Sequence, residues 1–353
     1  MLSKSQQSKS KKLTNWIPPK GWLKIKTIDA HTAGEPLRII LSGLPEIKGE
    51  TILEKRKFQK ENFDYLRTAL MFEPRGHADM YGAIITPPVT KEADFGVIFL
   101  HNEGYSTMCG HGIIALTKVA FQTGMIKAEE PTTEIKIDTP AGLVTSFAKM
   151  KNGKVKSIYF HNVPSFVLAM NERISVPSLG DIKYDIAFGG AFYAFVNADE
   201  LKIELCESNY RELIEKGMAI KKAVSENYKI SHPFEEELSF LYGTIFIGKP
   251  IGEGVDSRNV CIFAEGEVDR SPTGTGVSAR MALQNERGEL KANEPMVIES
   301  IIGSTFKGSV HQVTAYGPVE AVIPQVEGNA FITGKHEFLI DPEDPLKKGF
   351  ILR

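Results

Sequence analysis

Residues 96–116 read GVIFLHNEGYSTMCGHGIIAL and residues 260–280 read VCIFAEGEVDRSPTGTGVSAR. The two stretches lie 164 positions apart, and no gap is needed to align them. Ile98-Phe99 falls on Ile262-Phe263, Cys109-Gly110-His111-Gly112 on Thr273-Gly274-Thr275-Gly276, and Ala115 on Ala279. Each copy reads as a buried strand, a turn, a corner of small residues and then a helix. One matching glycine pair is common by chance; a glycine pair, an alanine and an upstream Ile-Phe in one register are not. The chain is therefore expected to consist of two homologous lobes.

The remaining pattern fits. Trp22 precedes Leu23-Lys24-Ile25-Lys26-Thr27-Ile28, which alternates with strand period. Short apolar, β-branched segments recur at Leu37–Leu41, Ala83–Ile85, Gly96–Leu100, Thr133–Ile137, Lys156–Phe160, Ala191–Val196, Val260–Ala264 and Val319–Ile323. Helical periodicity covers about 56–72, 110–124, 209–227 and 275–286. Strands outnumber helices without regular βαβ alternation, so the expected class is α+β.

Composition narrows the function. At 353 residues the chain has room for two domains. A formal net charge of −2 supplies no basic face for nucleic acid or a membrane surface. No apolar run is long enough to span a bilayer. Cys109, Cys206 and Cys261 lie far apart with no CxxC pair, which suits a reducing cytoplasm. The opening MLSKSQQSKSKK has no apolar core for secretion. Because no arginine precedes Arg38, residues 1–21 read as a flexible tail rather than a targeting segment.

The two corners carry the chemistry. In each, glycines follow a nucleophile-type residue and open a helix. The first N–H groups of a helix lack intrahelical partners and carry partial positive charge. Two such ends facing each other would cradle one carboxylate. The same field is expected to lower the pKa of Cys109 toward the thiolate, which could then remove a proton from the carbon next to that carboxylate. Taken alone, Cys109 also reads as a small buried residue, and Gly-x-Gly as turn chemistry. Zinc at Cys109, His111 and His101 lacks a fourth ligand at plausible spacing. A Cys–His protease would need an acid-oriented partner histidine.

ADFGVIFLHNEGYSTMCGHG (93–112) with DRSPTGTG (269–276) resembles the proline racemase family. So do DAHTAGEP (29–36), EPRGHADMYGA (73–83), DTPAGLV (138–144) and NVPSFV (162–167). The resemblance runs from about residue 22 to the end. It implies a diaminopimelate epimerase-like fold: two pseudo-symmetric lobes, each a β-barrel-like sheet around a central helix, with the active site between them. The first lobe would take 22–157 plus 330–353 and the second 158–329. Carried over position by position, Cys109 matches the family's first catalytic cysteine. Gly110, His111, Gly274 and Thr275 match the carboxylate-binding loops. Asp269, with His111, matches the groups facing the ring nitrogen, and Tyr81 and Phe263 match aromatic walls. Asp269 also reads as a structural loop acid and Phe263 as core filling; His31, Glu35, Arg75, His77 and Asp79 read as buried supports.

Racemases and epimerases of this family carry cysteine at both corners, whereas this chain has Thr273 at the second. Inversion needs a base on one face of Cα and an acid on the other, and a threonine hydroxyl is too weak an acid for that. The Cys/Thr arrangement resembles the branch that dehydrates trans-3-hydroxy-L-proline. Cys109 is then the expected base, with Thr273 a hydroxyl-side donor or carboxylate ligand. No metal or cofactor is implied, and the expected partner is a hydroxyproline, with a homodimer possible. Epimerisation of 4-hydroxyproline, proline racemisation and a catalytically silent proline-analogue binding protein are the alternatives.

Overall fold

The computed structural model describes residue 13 and residues 15–177 and 179–352, and among these described residues it has four α-helices and eighteen strands. The expected tail, 1–21, falls largely outside those residues. The helices are α1 (Ile52–Met71), α2 (Gly110–Gln122), α3 (Tyr210–Asn227) and α4 (Gly274–Glu286). Helix α1 begins earlier than its apolar period suggests because Thr51 caps it: the Thr51 hydroxyl accepts from Glu54 N–H while the Glu54 carboxylate accepts from Thr51 N–H. Among the described residues, no helix is long and apolar enough to cross a membrane.

The fold repeats strand for strand. In the first half Glu35–Ser42 runs parallel to Tyr81–Thr86, and Phe95–His101 parallel to Thr132–Thr139. In the second half Phe192–Asn197 runs parallel to Leu241–Gly248, and Ser257–Phe263 parallel to Met296–Glu299. Nearly all the other neighbours are antiparallel, giving a mixed sheet and an α+β fold. Helix α2 is buried against Leu23–Thr32, Gly142–Lys151, Lys154–His161 and Ala330–Ile340; α4 is buried against Phe166–Val176, Gly180–Phe188, Thr305–Tyr316 and Val319–Gly328. Both helices are almost wholly buried, as befits central elements wrapped by strands.

All eighteen strands belong to one hydrogen-bonded network. The halves join where Lys154–His161 pairs with Val319–Gly328. The chain then returns, and Ala330–Ile340 pairs antiparallel with Leu23–Thr32. Several strands had no clear sequence signal, among them Gly142–Lys151 and Thr305–Tyr316. Each turns Lys, Gln or His side chains to solvent, so its apolar face is short and interrupted.

The starts of α2 and α4 abut. A Cβ added to Gly110 would lie 2.6 Å from Gly274 Cα, and one added to Gly274 would lie 2.7 Å from Gly110 Cα. Only glycine permits this backbone-to-backbone approach. Gly110→Ala is therefore expected to destabilise the fold by about 1–3 kcal/mol, the usual range for overpacking, and to lower turnover by separating the two corners. Urea unfolding with a parallel activity assay checks this; wild-type values in both would disprove the contact.

Candidate active site

The corners meet at a small cavity. Tyr81, Cys109, Gly110, His111, Phe263, Asp269, Thr273, Gly274 and Thr275 all line it, so the structure brings together every residue expected to act on or bind the substrate, while none of the expected supports lines it. Met108, Tyr193 and Tyr242 line it too and were not anticipated. Its volume is about 20 Å³, roughly the space of one water molecule. The two halves are closed on each other.

Cys109 is the N-cap of α2, in extended backbone with φ −144°, and its Sγ accepts from Gly112 N–H at 3.2 Å. Thr32 Oγ1 donates to the His111 carbonyl at 2.8 Å and so ties this helix start to the first strand. The His111 ring lies against the sulfur, with Nδ1 3.3 Å and Nε2 3.5 Å from Sγ.

The second corner is not a copy of the first. Thr273 sits at φ 66°, ψ 96°, and its hydroxyl makes no capping bond. A left-handed conformation at a β-branched residue is a true outlier and stores about 1–3 kcal/mol. The buried Thr273 Oγ1 has no well-aligned hydrogen-bond partner, although it is close enough to Asp269 and Cys261 to favour their charged forms. Thr275 Oγ1 is 2.7 Å from the Tyr193 hydroxyl, and Asp269 Oδ1 accepts from Ser271 N–H at 2.7 Å.

Aromatic rings form the wall. Tyr81 packs edge-on to His111, centroids 4.8 Å apart, and Tyr242 stacks on Phe263 at 5.4 Å. The Tyr81 hydroxyl donates to Ser106 and lies 3.4 Å from the Tyr242 hydroxyl. It is thus engaged within the wall, and Tyr81 offers the cavity chiefly its ring.

Electrostatically the site favours neutral groups. The helix end was expected to lower the Cys109 pKa; instead it stands well above the ordinary thiol value. Burial is the largest cause, the Asp269 and Glu35 carboxyls add to it, and the Gly112 N–H opposes it without prevailing. His111 is pulled down to about 3 by burial, and Asp269 is raised by burial. Glu35, fully buried, is raised well above the carboxylate range by burial and then by Asp269. Its Oε2 accepts from Arg270 N–H at 2.8 Å, while its Oε1 has no partner. Glu35 is therefore only half satisfied as a support.

The other expected supports are not buried: His31, Arg75 and Asp79 are half-buried and His77 is exposed, because His31 lies near the end of a strand and the others on a surface loop. His31 Nδ1 accepts from Gly34 N–H at 3.2 Å, and Arg270 donates to the Asp79 carbonyl at 3.0 Å. His77 Nδ1 lies 2.7 Å from the Ala78 carbonyl. Arg75 points away from the cavity and donates to the Lys347 carbonyl at 2.7 Å.

The profile of the proline racemase family matches residues 27–351. The chain belongs to that family. It is 47% identical, over 100% of both chains, to a trans-3-hydroxy-L-proline dehydratase of Colwellia psychrerythraea. It is 45% identical to a human trans-3-hydroxy-L-proline dehydratase, covering 93% of this chain and 95% of that one. Its fold resembles a hydroxyproline epimerase from Agrobacterium vitis with bound trans-4-OH-L-proline, at a TM-score of 0.87 and 31% identity, covering 94% of this chain and 96% of that one.

A thiol with a raised pKa is protonated at neutral pH and ionises only as the pH climbs past its displaced value. Alkylation of Cys109 by iodoacetamide is thus expected to be slow at pH 7 and to accelerate with a midpoint above the ordinary thiol value of about 8.5. Rates followed by mass spectrometry from pH 6 upward check this; a midpoint below 8 would show that the helix end outweighs burial.

Proposed function

We propose that this family member is a hydro-lyase that converts trans-3-hydroxy-L-proline to Δ1-pyrroline-2-carboxylate and water, with Cys109 as the base. The observation that carries the reading is the asymmetry of the corners: one thiol and one strained threonine line the same cavity. Dehydratases among the relatives at 45–47% identity support the substrate. We place the site between lobes of 22–157 plus 330–353 and 158–329.

In trans-3-hydroxy-L-proline the 3-hydroxyl lies on the same ring face as the Cα hydrogen. Cys109 takes the Cα proton, and charge develops on the carboxylate. The N–H groups at Gly110-His111 and Gly274-Thr275 are suited to hold that charge. The electron pair forms the Cα=C3 bond as the C3–O bond breaks, and the leaving hydroxide recovers the proton on the same face as water. The enamine then tautomerises to the cyclic imine. One thiol suffices for this syn elimination, with Thr273 as a hydroxyl-side donor or carboxylate ligand.

The raised pKa of Cys109 assigns a task to the substrate. A ring ammonium beside Asp269 and His111 would cancel one of the fields that oppose the thiolate. Tyr81 and Phe263 would flank the pyrrolidine ring. A cytoplasmic homodimer belongs to the same proposal; the three free cysteines support the reducing compartment.

Incubation with the hydroxyproline isomers tests the reaction: cyclic imine is expected from trans-3-hydroxy-L-proline alone. Epimerised 4-hydroxyproline with no imine would make the chain an epimerase, and no turnover at all would leave a binding protein. Cys109→Ser is expected to lower turnover by 10³-fold or more, on the order of the loss of an activated nucleophile, with an unchanged melting curve.

Thr273→Cys would restore a thiol at the second corner. The variant is expected to gain slow α-proton exchange with proline, where elimination cannot compete. Deuterium incorporation at Cα in D₂O, with chiral chromatography, reads it out. Equal exchange in wild type and variant would show that Thr273 is not what blocks inversion.

A further inference from the structure

At the far end of α4 lies a second cavity, of about 540 Å³, that shares no residue with the first. It is lined by Arg280, Arg287 and Lys183 and by Asp185, Glu200 and Glu289. Arg280 sits on α4 six residues past Gly274, about 9 Å along the helix axis. The residue is 5% exposed. Its guanidinium makes one hydrogen bond, Nη1 to Asn259 Oδ1 at 2.8 Å, and its Nε has no partner. No carboxylate pairs with it among the described residues, whereas Arg287 pairs with Asp185.

A buried guanidinium with no carboxylate in ion-pair contact is a costly arrangement, because desolvation of the cation is only partly offset. Burial and then Arg287 pull the Arg280 pKa down to about 10, and the Glu289 carboxylate opposes them without prevailing. Arginine's planar fork matches a carboxylate bidentately, and among the described residues none of the wall's carboxylates, Asp185, Glu200 or Glu289, forms an ion pair with it. The acids on the same wall argue against a polyanion and for a ligand that also carries a cation.

We propose that this cavity is a second ligand site for a small zwitterionic amino acid, with its carboxylate on Arg280 and its ammonium toward Glu200 and Glu289. It lies outside the dehydration site, and its occupant need not be a substrate. Asn259, which holds Arg280, also donates from Nδ2 to the Pro272 carbonyl at 3.3 Å, next to Thr273. Arg280 therefore sits two hydrogen bonds from the second corner, and an occupant three.

Calorimetric titration with glycine, acetate and inorganic phosphate tests the site. Saturable glycine binding is expected in wild type, weakened at least tenfold in Arg280→Gln and Arg287→Gln, with the KM for trans-3-hydroxy-L-proline unchanged. Arg280→Lys, which keeps the charge without the fork, is expected to bind at intermediate strength and serves if Arg280→Gln does not fold. Phosphate binding tighter than glycine would overturn the zwitterion assignment. Absence of binding by any probe, or binding unaltered in the variants, would overturn the site.

Discussion

Gly110 and Gly274 meet through their backbones, and the rest of the site follows from that contact. Two buried helices can bring their N-terminal N–H groups to one point only if no side chain intervenes. Glycine at both positions removes the obstacle, and the surrounding strands hold the helices on line. Thr32 fixes the start of α2 through the His111 carbonyl, and Tyr193 fixes the start of α4 through the Thr275 hydroxyl. The donors that would meet a carboxylate are thus oriented before any ligand arrives, which is the condition for electrostatic preorganisation.

Burial works against charge in the same place. Cys109, Asp269 and Glu35 are all shifted toward their protonated forms, and His111 toward its neutral form. A closed, buried site of this kind is electrically quiet. A zwitterionic amino acid brings both signs at once: its carboxylate meets the helix ends and its ammonium meets a carboxyl. In the proposed reaction the substrate therefore completes the field that makes the thiol reactive, and a thiol without substrate stays protected from stray chemistry.

The corners were legible because their small residues and helix starts recur in one register. The strands around them were half legible. Those with long apolar runs stood out, whereas Ala330–Ile340 was placed by family resemblance and not by its own period. Tyr242 was missed for a specific reason. The Tyr-Gly pair at 81–82 recurs at 242–243, 161 residues on, so a single slide of 164 passes it by. In the structure Phe192 pairs with Leu241 and Tyr193 with Gly243, leaving Tyr242 on a bulge. A bulge re-aims one side chain without disturbing the strand beyond it, and a slide at a single register cannot show one. The pKa of Cys109 was misjudged because a helix start is visible in sequence and desolvation is not.

The pairing of Ala330–Ile340 with Leu23–Thr32 has a consequence for biosynthesis. Leu23–Thr32 emerges from the ribosome early, but its outer partner is made about 300 residues later; at roughly 5–20 residues per second that is a wait of tens of seconds. Until then the first strand presents an unpaired edge, a template for association with other chains. Ala330–Ile340 is thus the strand that seals Leu23–Thr32, and native closure of the first half waits for its synthesis. This joins the beginning and end of the described chain in one folding step, with the long loop-closure penalty that such distant contacts carry.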